Sequence, residues 1–120
     1  MTESSRSSHQ VYRLDKFIVP IGVREEFLAK VKSTHQLLRN QSGFIQDFLL
    51  EQPLPDEAIQ IATLVEWQDQ QSIDNARNAV MAAHKSSGFN AQAFTERLGI
   101  KVEMGSYQPI AMLMDKTVIN

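Results

Sequence analysis

The order of two hydrophobic periodicities along the chain restricts its fold more than any other feature. Alternation of apolar and polar side chains predicts a β-strand, and apolar side chains every three to four residues predict a helix. The patterns follow one another as strand, helix, strand, strand, helix, strand, and a short extra helix precedes the last strand. The predicted strands are 11–19, 44–51, 59–67 and 100–107. The predicted helices are 23–39, 69–88 and 90–98, and the ranges of the last two include their capping residues.

The residues at the ends of these segments are of types that commonly end strands or cap helices. Pro20 and Gly22 close the first strand, because proline has no N–H for the ladder and glycine permits the turn. Pro53 and Pro55 are expected to end the second strand, and the short loop that contains them predicts an antiparallel hairpin with the third strand. Asp69 is the predicted N-cap of the second long helix.

The order β-α-β-β-α-β is the split βαβ arrangement of the ferredoxin-like fold. We therefore predict an α+β domain over residues 11–107, with a four-stranded antiparallel sheet and helices on one face, between a polar tail, 1–10, and a C-terminal tail, 108–120. The first strand is partly apolar on both faces, so the bare face of the sheet needs a cover. A second copy of the chain is the simplest cover, which predicts a homodimer whose interface also buries the apolar residues 110–114.

Composition and motifs disfavour several classes of function. Lys and Arg number 12 against 14 Asp and Glu, and the resulting net charge of -2 gives no positive field for nucleic acid or an anionic membrane. The chain has no Cys, which removes disulfides and thiolate chemistry and favours the reducing cytoplasm. We expect neither a secretion signal nor a membrane span, because no segment approaches the roughly 20 apolar residues that a span requires. Phosphate-loop, nucleophile-elbow and zinc-protease motifs are also missing from the sequence.

Several short motifs, in order along the chain, resemble the antibiotic biosynthesis monooxygenase superfamily. They are Arg24-Glu25-Glu26-Phe27-Leu28 at the start of the first helix, Gly43-Phe44 after it, Val65-Glu66-Trp67 at the end of the third strand, Ala83-His84 late in the second helix, and Gly105-Ser106-Tyr107 in the last strand. The resemblance covers roughly residues 11–107. It implies a dimeric α+β barrel in which the sheets of two subunits face each other.

The resemblance also implies a chemistry. Some members are cofactor-free monooxygenases, in which a deprotonated aromatic substrate supplies electrons to O₂ and the protein provides a base, an apolar pocket and donors for an oxyanion. We therefore expect a small aromatic, hydroquinone-like or polyketide-like substrate, with no cofactor and no metal. His84 is the expected catalytic base, because its imidazole lies on the apolar stripe of the second helix and exchanges protons near neutral pH. The alternative is a partly buried histidine without a catalytic role.

Further residues are candidates for contact with the substrate. Trp67 is either a pocket wall for an aromatic ring or a packing anchor of the core, and Arg77 either pairs with a substrate carboxylate or phenolate or lies in solvent. One of Asp15 and Lys16 must point towards an apolar layer, and the sequence leaves open which one. His35 lies on the inward stripe of the first helix, where a histidine at the edge of the core is the alternative.

Two other functions stay open. One is a non-catalytic dimeric module that holds an apolar ligand in the same pocket. The other is haem binding or degradation, because such members combine an Asn in the first strand and a Trp in the second helix with an axial His. His84 matches the His, but the first strand offers Asp15 or Lys16 and the Trp position falls near Asp74, so haem is a minor alternative.

Overall fold

The computed structural model describes residues 10–110, which form one antiparallel sheet with helices on one of its faces. The strands lie in the order β2-β3-β1-β4. This is the predicted ferredoxin-like α+β fold, which is confirmed. The elements are β1 (Val11–Pro20), a 3-10 turn (Ile21–Val23), α1 (Arg24–Arg39), β2 (Phe44–Leu54), β3 (Ala58–Trp67), α2 (Gln70–Ser87), α3 (Ala91–Leu98) and β4 (Lys101–Tyr107).

The β2–β3 hairpin is confirmed, but the prediction that Pro53 ends β2 is wrong. The strand continues to Leu54, and Pro53 stands opposite Ile59 in the register. Because β2 is an edge strand, a residue without an N–H is tolerated there when that position faces away from the neighbouring strand. The turn after β2 contains Asp56 and Glu57, which both have positive φ angles, of 63° and 56°.

The predicted helix caps are present. The Asp69 carboxylate accepts a hydrogen bond from the Ser72 backbone N–H at 2.8 Å, and Gly88 ends α2 in the left-handed conformation. Asn90 caps α3 in the same way by accepting from the backbone N–H of Ala93 at 2.9 Å. Helical spacing predicts an apolar stripe of Ile73, Ala76, Val80, Ala83 and His84 on α2, and the structure differs at Ala83, which is exposed.

The core consists of two clusters of buried apolar side chains between the sheet and the helices. One cluster lies around β1, α1 and the end of α3, and the other lies where β3 leads into α2. Their members are Val19, Phe27, Val31, Ile59, Ile61, Leu98 and Ile100 in the first, and Val11, Val65, Trp67, Ile73 and Ala76 in the second. Both clusters contribute side chains to the cavity described below.

The opposite face of the sheet carries apolar side chains that no helix of residues 10–110 covers. Ile18, Phe48, Leu50 and Tyr107 are all exposed there, Phe48 by 47% and Leu50 by 55%. No helix within residues 10–110 is long and apolar enough to cross a membrane. The predicted packing of residues 111–114, and of most of the two tails, falls outside the described part of the chain.

Candidate functional site

A cavity of about 640 Å³ lies between the helix-covered face of the sheet and helices α1, α2 and α3. Its walls are mostly apolar and include Phe17, Phe27, Val65 and Met104. A cavity of this size and character is typical of a site for a small organic molecule. The polar side chains in its wall are therefore the candidates for recognition or chemistry.

The strand β1 decides which of two neighbouring polar residues enters the cavity. Alternation along the strand places Arg13, Asp15 and Phe17 in the cavity wall and Lys16 on the opposite face. The alternative that the sequence left open is thus settled in favour of Asp15. Asp15 is not isolated there, because its Oδ1 accepts a hydrogen bond from Nη2 of Arg13 at 3.1 Å.

His84 lies in the cavity wall near the end of α2, beside an aromatic cluster. Its ring packs edge-on against Phe89, with 4.8 Å between the centroids, and Nζ of Lys30 lies 3.8 Å from the centre of the Phe89 ring. Burial, and then the positive charge of Lys30, lower the pKa of His84 below its ordinary value of 6.5. The imidazole is therefore mainly neutral at pH 7, which leaves it a lone pair to accept a proton.

His35 belongs to a buried ion-paired group that connects α1 to β2. Its Nδ1 lies 2.9 Å from Oδ2 of Asp47, and both side chains are less than one-tenth exposed. Nε of Arg39 donates to both oxygens of the same carboxylate, and Nη2 of Arg39 donates to Oδ1. Because Nδ1 is held by Asp47 while His35 also lines the cavity, the Nε2 edge of the ring is the part left for a ligand.

The Asp47 carboxylate at the centre of this group is stabilised in its charged form. Burial acts most strongly on it and raises its pKa, but the hydrogen bonds and charges of Arg39 and His35 together outweigh burial. The pKa of Asp47 is therefore lower than its ordinary value of 3.8.

Trp67 and Arg77 differ in burial. Trp67 is only 2% exposed and packs edge-to-face on Phe44 at 5.7 Å, so the packing role is present, and its side chain is also part of the cavity wall. Arg77 also lines the cavity, but it is more than half exposed, and its Nη1 lies 3.7 Å from Oδ1 of Asp74.

The fold brings all five residues of the predicted site to one cavity. They are His84, Trp67, Arg77, Asp15 and His35, and the roles assigned to them stay predictions. Sequence reasoning missed Arg13, Lys30 and Asp47. The signal for Arg13 was its position two residues before Asp15, on the same face of the strand, whereas nothing local connects Asp47 with His35. Within residues 10–110, no group of three or more His, Asp or Glu side chains is arranged to hold a metal ion.

Comparison with known proteins agrees with this architecture. The family model described as "Antibiotic biosynthesis monooxygenase" matches residues 11–86. Among curated proteins, none matches the chain significantly.

Solved structures with the same fold are distant in sequence. SnoaB, a cofactor-independent oxygenase from Streptomyces nogalater, is 20% identical with a TM-score of 0.63, and the match covers 84% of this chain and 93% of SnoaB. A conserved protein from Methanosarcina mazei Go1 is 21% identical with a TM-score of 0.67, over 89% of this chain and 99% of that one. A dimeric ferredoxin-like protein from an uncultured marine organism is 12% identical with a TM-score of 0.60, over 85% and 96%.

Proposed function

We propose, from the premise that this chain belongs to the antibiotic biosynthesis monooxygenase family, that it oxidises a small aromatic, hydroquinone-like or polyketide-like molecule with O₂ and without a cofactor. The observation that carries the proposal is the apolar cavity with acid-base groups in its wall. An apolar cavity favours a neutral aromatic ring, and an imidazole in its wall is suited to remove a proton from that ring's hydroxyl or activated C–H group.

His84 is the proposed base. Its lowered pKa keeps it neutral at pH 7, and its place in the cavity wall puts it within reach of a bound ring. Removal of the proton leaves a phenolate or enolate, which is electron-rich enough to reduce O₂ directly. The neighbouring Lys30 stabilises the developing negative charge on the substrate once His84 has taken the proton.

The overall reaction is balanced without an external reductant. For anthrone, one ring CH₂ group and one O₂ give the carbonyl of anthraquinone and one water molecule. Both C–H bonds of the CH₂ group break, one oxygen atom enters the product, and the other leaves as water. The substrate itself supplies the four electrons that O₂ accepts.

The remaining predicted residues complete the proposed site. Trp67 is the wall on which the substrate ring packs, and Arg77 stands at the more exposed part of the cavity, where a guanidinium stabilises an oxyanion. Asp15 is proposed to act through its hydrogen bond with Arg13. His35, held by Asp47, is a second imidazole in the same wall and the natural competitor of His84 for the role of base.

The proposed assembly is a homodimer. The bare face of the sheet exposes Ile18, Phe48 and Leu50, and a cluster of exposed apolar side chains on one face is typical of an interface. A second sheet packed on this face removes it from solvent. A chain without Cys suits the cytoplasm, where we place the protein.

Oxygen uptake tests the proposal. An oxygen electrode follows chelator-treated protein with anthrone and with a panel of hydroquinones, with and without a ring carboxylate, and liquid chromatography measures the product. We expect one O₂ consumed per anthrone oxidised, and a loss of about 100-fold or more in His84→Gln, in the range of general-base catalysis. The matched control is His35→Gln, which removes the other imidazole of the cavity wall and keeps His84.

Each result has a defined meaning. If no substrate of the panel raises uptake above the protein-free rate, the monooxygenase proposal is wrong, and a co-purified apolar ligand in mass spectrometry would then favour a binding module. If His35→Gln loses the rate and His84→Gln does not, the base is the His35–Asp47 pair. Haem stays a minor alternative, because this chain has Asp74 near the position at which haem-degrading members have a Trp. The Asp74 side chain lies beside Arg77.

A further inference from the structure

Arg13 is a cavity residue whose charge is only partly compensated. It lies on the cavity face of β1, opposite Val65 of β3, and its side chain is 22% exposed. Among residues 10–110, only Nη2 of its guanidinium group has an acceptor, which is Oδ1 of Asp15 at 3.1 Å, and Nε is buried without any. Buried donors without an acceptor destabilise a fold, so a retained one requires an explanation.

The charges in the cavity wall point to an anionic ligand. Arg13, Lys30 and Arg77 are cationic, Asp15 is the one carboxylate in the described wall, and Asp74, outside the wall, pairs with Arg77, which leaves a formal charge of +1 when the histidines are counted as neutral. The whole chain has a net charge of -2. The cavity wall is therefore positively charged although the chain as a whole is negatively charged, and the positive wall favours entry of an anion.

The donor group suits an anion with two oxygens in one plane, and a carboxylate is such an anion that carries a single charge. A guanidinium group presents parallel N–H donors in one plane, which match the two oxygens of a carboxylate. The contact with Asp15 uses one N–H group of Nη2, and Nε is buried, so the N–H groups of Nη1 and the second one of Nη2 are left for another acceptor. The apolar and aromatic remainder of the wall, including Phe17 and Trp67, suits a flat ring system.

We propose that the cavity selects aromatic molecules bearing one carboxylate group, which is bound by the guanidinium of Arg13, while Asp15 positions that guanidinium. The inference rests on the proposed function, since it names the substrate class of the same cavity. It assigns a specificity role to Arg13, which neither acts as the base nor forms the aromatic wall.

Two probes of the same shape test the proposal. Isothermal titration calorimetry compares 2-naphthoate with 2-acetylnaphthalene, which has an uncharged ketone in place of the carboxylate. The fluorescence lifetime of Trp67, the single tryptophan of the chain, reports whether a probe occupies the cavity. We expect wild-type protein to bind 2-naphthoate at least 10-fold more tightly than 2-acetylnaphthalene, on the order of one charge-assisted contact.

Three variants locate the effect. Arg13→Met should abolish the preference for 2-naphthoate and leave the affinity for 2-acetylnaphthalene within about twofold, because only the charged contact is lost. Arg13→Lys, which keeps the charge and the partner of Asp15 but lacks the fork, should reduce the preference to about threefold. Arg97→Met, on the surface and outside the cavity wall, removes the same charge from the chain and should leave the preference unchanged.

Several results would overturn the proposal. These are a wild-type protein without the preference, an Arg13→Met variant that retains it, or an Arg77→Met variant that alone abolishes it. If Arg13→Met fails to fold by circular dichroism, an undiminished preference in Arg13→Lys overturns the proposal instead. Because binding needs no turnover, an intact preference without oxygen uptake would remove the monooxygenase proposal and leave the carboxylate site in place.

Discussion

Replacement of Asp47 by Asn tests whether the buried contact of Asp47 with His35, together with the exposed partner Arg39, holds α1 on the sheet. The side chains of His35 and Asp47 are 7% and 6% exposed, whereas that of Arg39 is 54% exposed. Asn has nearly the same volume as Asp but no charge. Its single amide oxygen replaces the two carboxylate oxygens that now accept from both partners, so the variant isolates the electrostatic contribution from packing.

The expected loss follows from the burial of each partner. A hydrogen bond to a charged group contributes about 1.5–3 kcal/mol and a neutral one about 0.5–1.5 kcal/mol, so the buried contact with His35 loses about 1 kcal/mol. The exposed contact with Arg39 contributes at most about 1 kcal/mol. We therefore expect Asp47→Asn to lower the free energy of unfolding by about 2 kcal/mol, and Tm by about 8 °C at roughly 4 °C per kcal/mol.

The effect should depend on pH with a defined sign. The pKa of Asp47 is lower in the folded protein than its ordinary value of 3.8. The carboxylate therefore contributes stability above that value, and the contribution is lost as the pH falls through the folded pKa. The difference between wild type and Asp47→Asn should be present at pH 5, and it should shrink as the pH falls below about 4.

Urea unfolding followed by circular dichroism measures the difference at each pH. Arg39→Met is the control, because it removes only the exposed partner and should cost less than about 1 kcal/mol. Equal stability of Asp47→Asn and wild type at pH 7 would contradict the reasoning about burial. A difference that stays the same at pH 3 would contradict the assignment of the effect to the carboxylate charge.

Three further predictions follow from particular residues. Gly43→Ala should lower the free energy of unfolding by at least about 2 kcal/mol in urea titrations, because φ is +89° and the new Cβ would lie 2.0 Å from Oγ of Ser72. In the control Gly22→Ala the new Cβ meets no atom within 4 Å, so this variant should be nearly neutral. Leu50→Glu should convert the proposed dimer to a monomer in sedimentation equilibrium at micromolar concentration, whereas Asn78→Glu, exposed on α2, should leave the mass unchanged. The fall in the rate of oxygen uptake with acid should have its midpoint below pH 6.5, since the pKa of His84 is lowered, and this acid limb should be absent from any residual activity of His84→Gln.

The order of elements and their ends could be predicted from the sequence because the signals are local. The caps at Asp69 and Asn90 and the left-handed Gly88 act on backbone groups within a few residues of themselves. Pro53 was misjudged because its effect depends on a neighbour. A proline is excluded from a central strand and tolerated at an edge, and only the strand order β2-β3-β1-β4 places β2 at an edge.

The sequence by itself determined the elements, the ferredoxin-like fold and the identity of the apolar stripes, since periodicity and capping are properties of neighbouring residues. Only the tertiary structure decided which face of β1 the helices cover, and therefore that Asp15 and Arg13 enter the cavity while Lys16 does not. It also joined His35 to Asp47, 12 positions apart on different elements. Such contacts arise from the packing of a helix against a sheet, and burial, hydrogen bonds and neighbouring charges together then decide the charge state of the groups that meet.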